Sequence, residues 1–191
     1  NNIKNANKEK YIDKGVSLTI LPYIIKLVAH CLKELDRFNS SLSHDNNSII
    51  IKKYINIGIA INTERGLVVP NIKNITDKDI NEITFNLDEL IIKSQKNKLS
   101  PKDFEGTTFT ISSLGGIGGT YFTPIVNPPE VAILGLSKAT YNYIDVSGKG
   151  TKFESRLMMP YSLSYDHRVI DGVLAVSFTR MLAKLIEEYS E

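Results

Sequence analysis

The chain contains three histidines, and they are not equivalent. His30 falls within an apolar pattern of helical spacing, and His44 within the polar turn Ser43-His-Asp-Asn-Asn47. His167 stands in Tyr165-Asp-His-Arg-Val-Ile-Asp-Gly172, where a long strand pattern stops and a helix is about to begin. Side chains face outward in such places, and loops there carry function. A histidine with an aspartate four residues on is by itself a weak pattern: Asp171 caps the coming helix, a bond worth about 1 kcal/mol, and His167 merely packs, unless further motifs give the pair a role. A second candidate lies in Phe109-Thr-Ile-Ser-Ser-Leu-Gly-Gly-Ile-Gly-Gly-Thr120, a strand that runs through Ser112 and Ser113 into a glycine-rich loop. Glycines let the backbone approach a ligand closely, although after a strand they more often make a simple bend. No Gly-Lys-Ser/Thr follows, so this is not a phosphate-binding loop, and the third glycine of a dinucleotide fingerprint is missing. Neither serine sits in a Gly-x-Ser-x-Gly elbow, which argues against a serine hydrolase.

The elements that must position these residues can be read from periodicity. Residues 18–36 place Leu21, Ile24, Ile25, Val28, Cys31, Leu32 and Leu35 on one helical face, with Thr19 expected as the cap and Pro22 in the first turn. Residues 49–61 are β-branched and read as strands, with Thr63-Glu-Arg-Gly66 as a turn and Leu67-Val-Val-Pro70 returning as an edge. Thr76-Asp-Lys-Asp79 resembles a capping box for a second helix with Ile80, Ile83, Leu87, Leu90 and Ile91 inward. Ser100-Pro-Lys-Asp103 caps a short piece. Strands are expected over 107–112 and 131–137, a hairpin turning at 147–150, and one long strand over 156–165. A last helix carries Leu174, Phe178, Met181, Leu182, Leu185 and Ile186. The class is α/β: a mixed sheet covered by helices.

Composition narrows the alternatives. The chain has 191 residues, 42% of them hydrophobic, enough to close one core without a disulfide or metal staple, and no metal site is expected. A net charge of +2 is too small and too dispersed for a nucleic-acid footprint, so no nucleic acid is expected as a partner. The longest apolar runs fall short of a membrane span, so no membrane partner is expected. The single Cys31 reads as a free thiol in a reducing compartment.

Asp166-His-Arg-Val-Ile-Asp-Gly172 resembles the His-x-x-x-Asp-Gly signature of the dihydrolipoamide acyltransferases, the core components of 2-oxo-acid dehydrogenase complexes. Further blocks occur in that family's order: Arg37-Phe-Asn-Ser-Ser-Leu42, Asn56-Ile-Gly-Ile-Ala-Ile-Asn62 with Gly66-Leu-Val-Val-Pro70, Phe109 to Gly119, and Asn127-Pro-Pro-Glu-Val-Ala-Ile-Leu-Gly135. The resemblance covers residues 16–189. Ile111-Ser-Ser-Leu-Gly, Thr123-Pro-Ile-Val-Asn and Arg156-Leu-Met-Met-Pro are similar to the acetyl-transferring branch of pyruvate dehydrogenase. Ser113 stands where the succinyl and branched-chain branches usually carry Asn.

The resemblance implies a chloramphenicol-acetyltransferase-like two-layer sandwich that moves an acetyl group between dihydrolipoamide and coenzyme A. His167 would be the base, Ser112 the oxyanion donor, and Asp171, at the family's acidic position, the group that orients the loop. An ordinary thiol has a pKa of about 8.5 and an imidazole about 6.5, so concerted base catalysis is favoured over complete proton transfer. Leu134, Ser137 and Lys138 could meet coenzyme A through a backbone contact and a phosphate charge. The lipoyl group would ride on a domain outside this chain. Residues 1–191 read as a catalytic domain truncated on its N-terminal side, with lipoyl and peripheral-subunit-binding domains absent. A homotrimer with active sites between neighbours, assembled into a cubic or icosahedral core, is implied. So are a 2-oxo-acid decarboxylase and a dihydrolipoamide dehydrogenase as partners, and a cytoplasmic location in bacteria or the mitochondrial matrix in eukaryotes. The alternatives are a non-catalytic core component, a succinyl or branched-chain transferase of the same family, and a free acetyltransferase acting on a hydroxyl acceptor.

Overall fold

The computed structural model describes residues 19–188. In chain order the elements are α1 (Leu21–Glu34), β1 (Ser40–Leu42), β2 (Ile49–Ile51), β3 (Ile57–Thr63), β4 (Gly66–Val68), β5 (Asn71–Ile72) and α2 (Ile80–Gln95). They continue with β6 (Phe109–Ser113), β7 (Ala132–Leu136), β8 (Thr140–Asp145), β9 (Phe153–Met158), β10 (Tyr161–Tyr165) and α3 (Gly172–Glu188).

The main sheet runs β10-β7-β6-β3-β4, with β5 also on β3. Strands β3, β6 and β7 are parallel, whereas β10, β4 and β5 are antiparallel to their neighbours, so the sheet is mixed as expected. β4 and β5 are one edge interrupted at Pro70, whose carbonyl still accepts from Ile59 N–H at 2.8 Å. The fold is a two-layer sandwich.

Strand alternation divides the sheet into two unlike faces. Ile57, Ile59, Phe109, Ile111, Ala132 and Leu134 point into the core, where they meet Ile24, Ile25 and Val28 of α1, Ile83 and Leu87 of α2, and Phe178 and Leu182 of α3. The Phe178 ring lies 4.5 Å from Phe38 and 5.7 Å from Phe109, binding the helical layer to the sheet. Removing such a ring costs on the order of 3–5 kcal/mol. The other face carries Gly58, Thr110, Ile133 and Ser164 in one row across four adjacent strands and the small residues Ala60, Ser112, Gly135 and Ser162 in the next. The helices do not cover it.

Several local expectations shift. The first helix starts at Leu21 rather than 18, with Ile20 as N-cap and no side-chain cap; Thr19 Oγ1 only grazes Leu21 N–H at 3.4 Å. Residue 18 lies outside the described residues. The capping box of α2 is Asp79 with Glu82, not Thr76 with Asp79. Both reciprocal bonds are 2.8 Å long, and Thr76 belongs to a 3-10 turn spanning Ile75–Asp77. The box at Ser100 and Asp103 is present. The single strand expected over 156–165 is two, β9 and β10, interrupted at Met159 and Pro160. Proline has no N–H to donate there, and β9 pairs with β8 in a separate hairpin while β10 pairs with β7.

Candidate active site

Ser112 is fixed by its place in the sheet. It pairs with Ala60 on one side and Gly135 on the other, and Gly135 pairs in turn with Ser162. All four point to the face that the helices leave uncovered. Gly135 is required there: a Cβ would stand 2.7 Å from the Phe122 ring, whose backbone carbonyl accepts a short hydrogen bond from Ser162 Oγ. The loop after β6 is thereby held beside Ser112. Ser113, one residue on, points to the helix side, with its hydroxyl near Gly115. Beyond it, Leu114 N–H reaches Leu136 O at 2.8 Å, and Gly118 and Gly119 adopt φ of +122° and +92°, values that side chains rarely tolerate.

His167 is exposed, at the apex of a turn braced from below. Asp166 N–H donates to Val131 O at 2.8 Å, and Asp166 O accepts from both Val169 and Ile170 N–H at 3.0 Å. Val169 and Ile170 are buried and anchor the turn. The Asp166 carboxylate accepts from Arg168 N–H at 3.0 Å and grips the Arg168 guanidinium through Nε and Nη2, the shortest contact being 2.6 Å. This hydrogen-bonded guanidinium holds the Asp166 carboxyl below its ordinary range, against the opposing effect of burial. Arg168 Nη1 reaches on to Asn46 Oδ1 at 3.2 Å, tying the turn to a loop 122 residues away in sequence. The His167 ring sits 5.7 Å from Tyr165. Among the described residues no hydrogen bond holds its imidazole.

Asp171 is placed where the cap reading put it. Its Oδ1 accepts from Leu174 N–H at 2.8 Å at the start of α3, and Arg168 pairs with Asp166 instead. Within one chain, Ser112 and His167 do not meet. Ser112 is level with Ser162, and His167 lies five residues further along, past the end of β10.

The three residues expected at coenzyme A are placed unequally. Leu134 does not fit that role: its side chain is fully buried on the helix side and its backbone is paired on both sides. Ser137 is buried, with its N–H on Pro160 O at 2.9 Å. Lys138 alone is exposed.

Glu130, within the Asn127-Pro-Pro-Glu block, has no role assigned by the sequence, since a carboxylate just before a strand has no distinguishing spacing. It is 6% exposed, and Asn127 Nδ2 donates to its Oε1 at 3.3 Å. Burial pushes the carboxyl up to about 7, tempered by the nearby Thr110 hydroxyl and by Asn127. Cys31 is buried in the core, and its thiol is pushed up to about 12 by that burial, which makes it inert. No group of His, Cys, Asp and Glu among the described residues could hold a metal ion, and no helix there is long and apolar enough to cross a membrane.

Comparison with known proteins decides the family. The model of the 2-oxoacid dehydrogenases acyltransferase (catalytic domain) matches residues 1–191. The chain belongs to this family. The dihydrolipoyllysine-residue acetyltransferase component of the pyruvate dehydrogenase complex of Pseudomonas aeruginosa is 50% identical over 96% of this chain and 33% of its own length. This chain therefore spans about a third of that relative. The solved dihydrolipoamide acetyltransferase of Azotobacter vinelandii superposes with a TM-score of 0.91 at 49% identity, covering 96% of this chain and 74% of that one. A serine, a histidine and an asparagine were investigated in the catalytic mechanism of that enzyme, and its histidine and asparagine stand four residues apart, the spacing of His167 and Asp171. Chloramphenicol acetyltransferase aligns with a TM-score of 0.59 at 15% identity over 93% of this chain and 81% of its own, which shows the shared fold.

Proposed function

We propose that this chain transfers an acetyl group between the thiol of a dihydrolipoyl carrier and the thiol of coenzyme A, as the core acyltransferase of a pyruvate dehydrogenase complex. The observation that carries the reading is the pair of presented groups. Ser112 stands in a row of small residues on the uncovered sheet face, and His167 stands at the apex of a braced turn, in a chain 50% identical to a dihydrolipoyllysine-residue acetyltransferase. His167 removes the proton from the attacking thiol as sulfur bonds to the thioester carbonyl. Ser112 donates to the oxyanion, and the proton returns to the departing sulfur as the carbon–sulfur bond breaks. One thioester is consumed and one is formed.

A base and an oxyanion donor at opposite ends of a sheet need a second chain to meet. We infer a symmetric trimer in which His167 of one chain faces Ser112 of its neighbour. The exposed apolar side chains of the β8–β9 hairpin, Tyr141, Tyr143, Phe153 and Leu157, supply a surface for such contacts. One solved relative forms the cubic core of the pyruvate dehydrogenase multienzyme complex, and the same assembly is proposed here. Its lipoyl domains, decarboxylase and dihydrolipoamide dehydrogenase would be the partners, in the bacterial cytoplasm or the mitochondrial matrix. The retained His167 argues against a non-catalytic core component.

The test is turnover of acetyl-dihydrolipoamide with coenzyme A. Specificity constants should favour acetyl over succinyl and isobutyryl donors, and His167→Ala should lower kcat by about 10²-fold or more with the assembly intact. Undiminished transfer in that variant would sink the base assignment, and a succinyl preference would overturn the acetyl branch.

A further inference from the structure

Glu130 is joined to the histidine turn through the backbone. The β7–β10 ladder ends with Asp166 N–H on Val131 O; Glu130 directly precedes Val131, as His167 directly follows Asp166. Glu130 N–H closes the Asn127-Pro-Pro-Glu130 turn on Asn127 O at 3.0 Å, and Asn127 Nδ2 returns to the Glu130 carboxyl at 3.3 Å. The Thr110 hydroxyl, on the central strand β6, stands beside the same carboxyl. One buried side chain thus links the middle of the sheet to the segment on which Asp166 rests. Asp166 O in turn holds the Val169 and Ile170 amides beneath His167.

Two cavities flank Glu130. One, of about 430 Å³, reaches toward Lys52, Tyr54 and Phe104; the other, of about 360 Å³, separates the Asn127–Glu130 turn from Asn46, Tyr165, Asp166 and Arg168. Close packing would pin the turn, so here its hold depends on the polar bonds of Glu130. Lys52, Asp166 and Arg168 are the charged groups lining these cavities, with Tyr54 and Tyr165 the other titratable ones, and Asp166 and Arg168 are paired with each other. Burial outweighs every other influence on the carboxyl, and the groups that oppose it, Thr110 and Asn127, are neutral. A buried charge without a bonded cation is drawn toward water, here through the neighbouring cavities. We propose that Glu130 is a positioning residue for His167: as the neutral acid it locks the Asn127–Glu130 turn to β6 and seats Val131 under Asp166, and on losing its proton it frees the turn and lowers turnover. The proposal rests on the acetyl-transfer reading.

The test is the pH profile of kcat at saturating acetyl-dihydrolipoamide and coenzyme A, between about pH 5.5 and 9. For the unaltered chain kcat should rise with ionisation of the base and then fall by about threefold or more above pH 7. Ionisation of the substrate thiols speeds attack and cannot mimic that fall. Glu130→Gln, which cannot ionise and keeps a polar group beside Thr110, should retain the acid limb and lose the alkaline one. Glu130→Leu should lower kcat about tenfold at every pH with both KM values unchanged. Hydrogen exchange reads the turn without turnover. From about pH 6 to 8 a peptide covering 161–171 should lose protection about tenfold in the unaltered chain and hold it in Glu130→Gln, while a β3 peptide stays closed over the same times. An alkaline limb of equal depth in Glu130→Gln overturns the assignment, as does full kcat in Glu130→Leu or equal loss of protection in β3. Absent transfer with the exchange difference intact condemns only the proposed activity; normal transfer without that difference condemns only the positioning role.

Discussion

Ser112 and His167 of one chain occupy opposite ends of the same sheet. Ser112 shares a row with Gly135 and Ser162, and β10 runs three residues on to Tyr165 before the turn that carries His167 begins. At about 3.3 Å per residue the strand alone separates the two levels by roughly 10 Å, and the turn adds more. That is well beyond the reach of a proton transfer with the substrate carbonyl held at Ser112.

Complementation between chains follows. Assemblies dissociated and remixed from His167→Ala and Ser112→Ala chains should regain activity that neither variant has alone. With random mixing in a closed trimer, about a quarter of the interfaces would pair the two intact residues. Mass measurement verifies the mixing; activity that stays at the level of the separate variants would show each site to lie within one chain.

The two serines should separate cleanly. Ser112 faces the uncovered side and Ser113 the helix side, so Ser112→Ala should lower kcat by about 10²- to 10³-fold with little change in KM, while Ser113→Ala should cost far less. A larger loss at Ser113 would place the oxyanion on the other face of the strand.

Arg168 braces the histidine turn from two sides, on Asp166 and on Asn46. Arg168→Lys keeps the charge but loses the planar fork, and should lower kcat by about tenfold with KM unchanged. Asn46→Ala should have a smaller effect of the same kind. A rise in KM at constant kcat would mean that Arg168 binds substrate instead of holding the turn.

Glu130 ties stability to pH. Its carboxyl is raised in the folded chain to about 7 from an ordinary 4.5, so the folded form holds a proton that the unfolded chain releases. This contribution is fully present below about 4.5 and is lost as pH rises through about 7, amounting to on the order of 3 kcal/mol. Lys52 lines the cavity on one side of the carboxyl, and Asp166 with Arg168 the cavity on the other. Denaturant midpoints should therefore fall between pH 5 and 8 for the unaltered chain and stay flatter for Glu130→Gln. Parallel pH dependences in the two would rule Glu130 out as the source.

Local physics made much of this legible. The apolar spacing of α1, α2 and α3 requires one buried face each, Asp171 is a cap by residue type and position, and the Pro70 edge and the Ser100 box follow from proline and capping chemistry. The misplaced box at Thr76 and the unbroken strand over 156–165 are local patterns overruled by distant partners, since β9 pairs with β8 and β10 with β7.

The chain's residue types and order alone determine that it has a histidine at a strand end, two hydroxyls before a glycine loop, and a family's motifs in sequence. What they cannot determine is which of these share a space. Strand register decides that Ser112 lies on the face free of helices, that Leu134 is sealed in the core, that Arg168 reaches Asn46, and that Ser112 and His167 are held apart. Burial decides that the Glu130 carboxyl is raised to about 7. Register and burial are set by contacts between segments far apart in the chain, whereas spacing along the sequence reports only what lies within a turn or a strand.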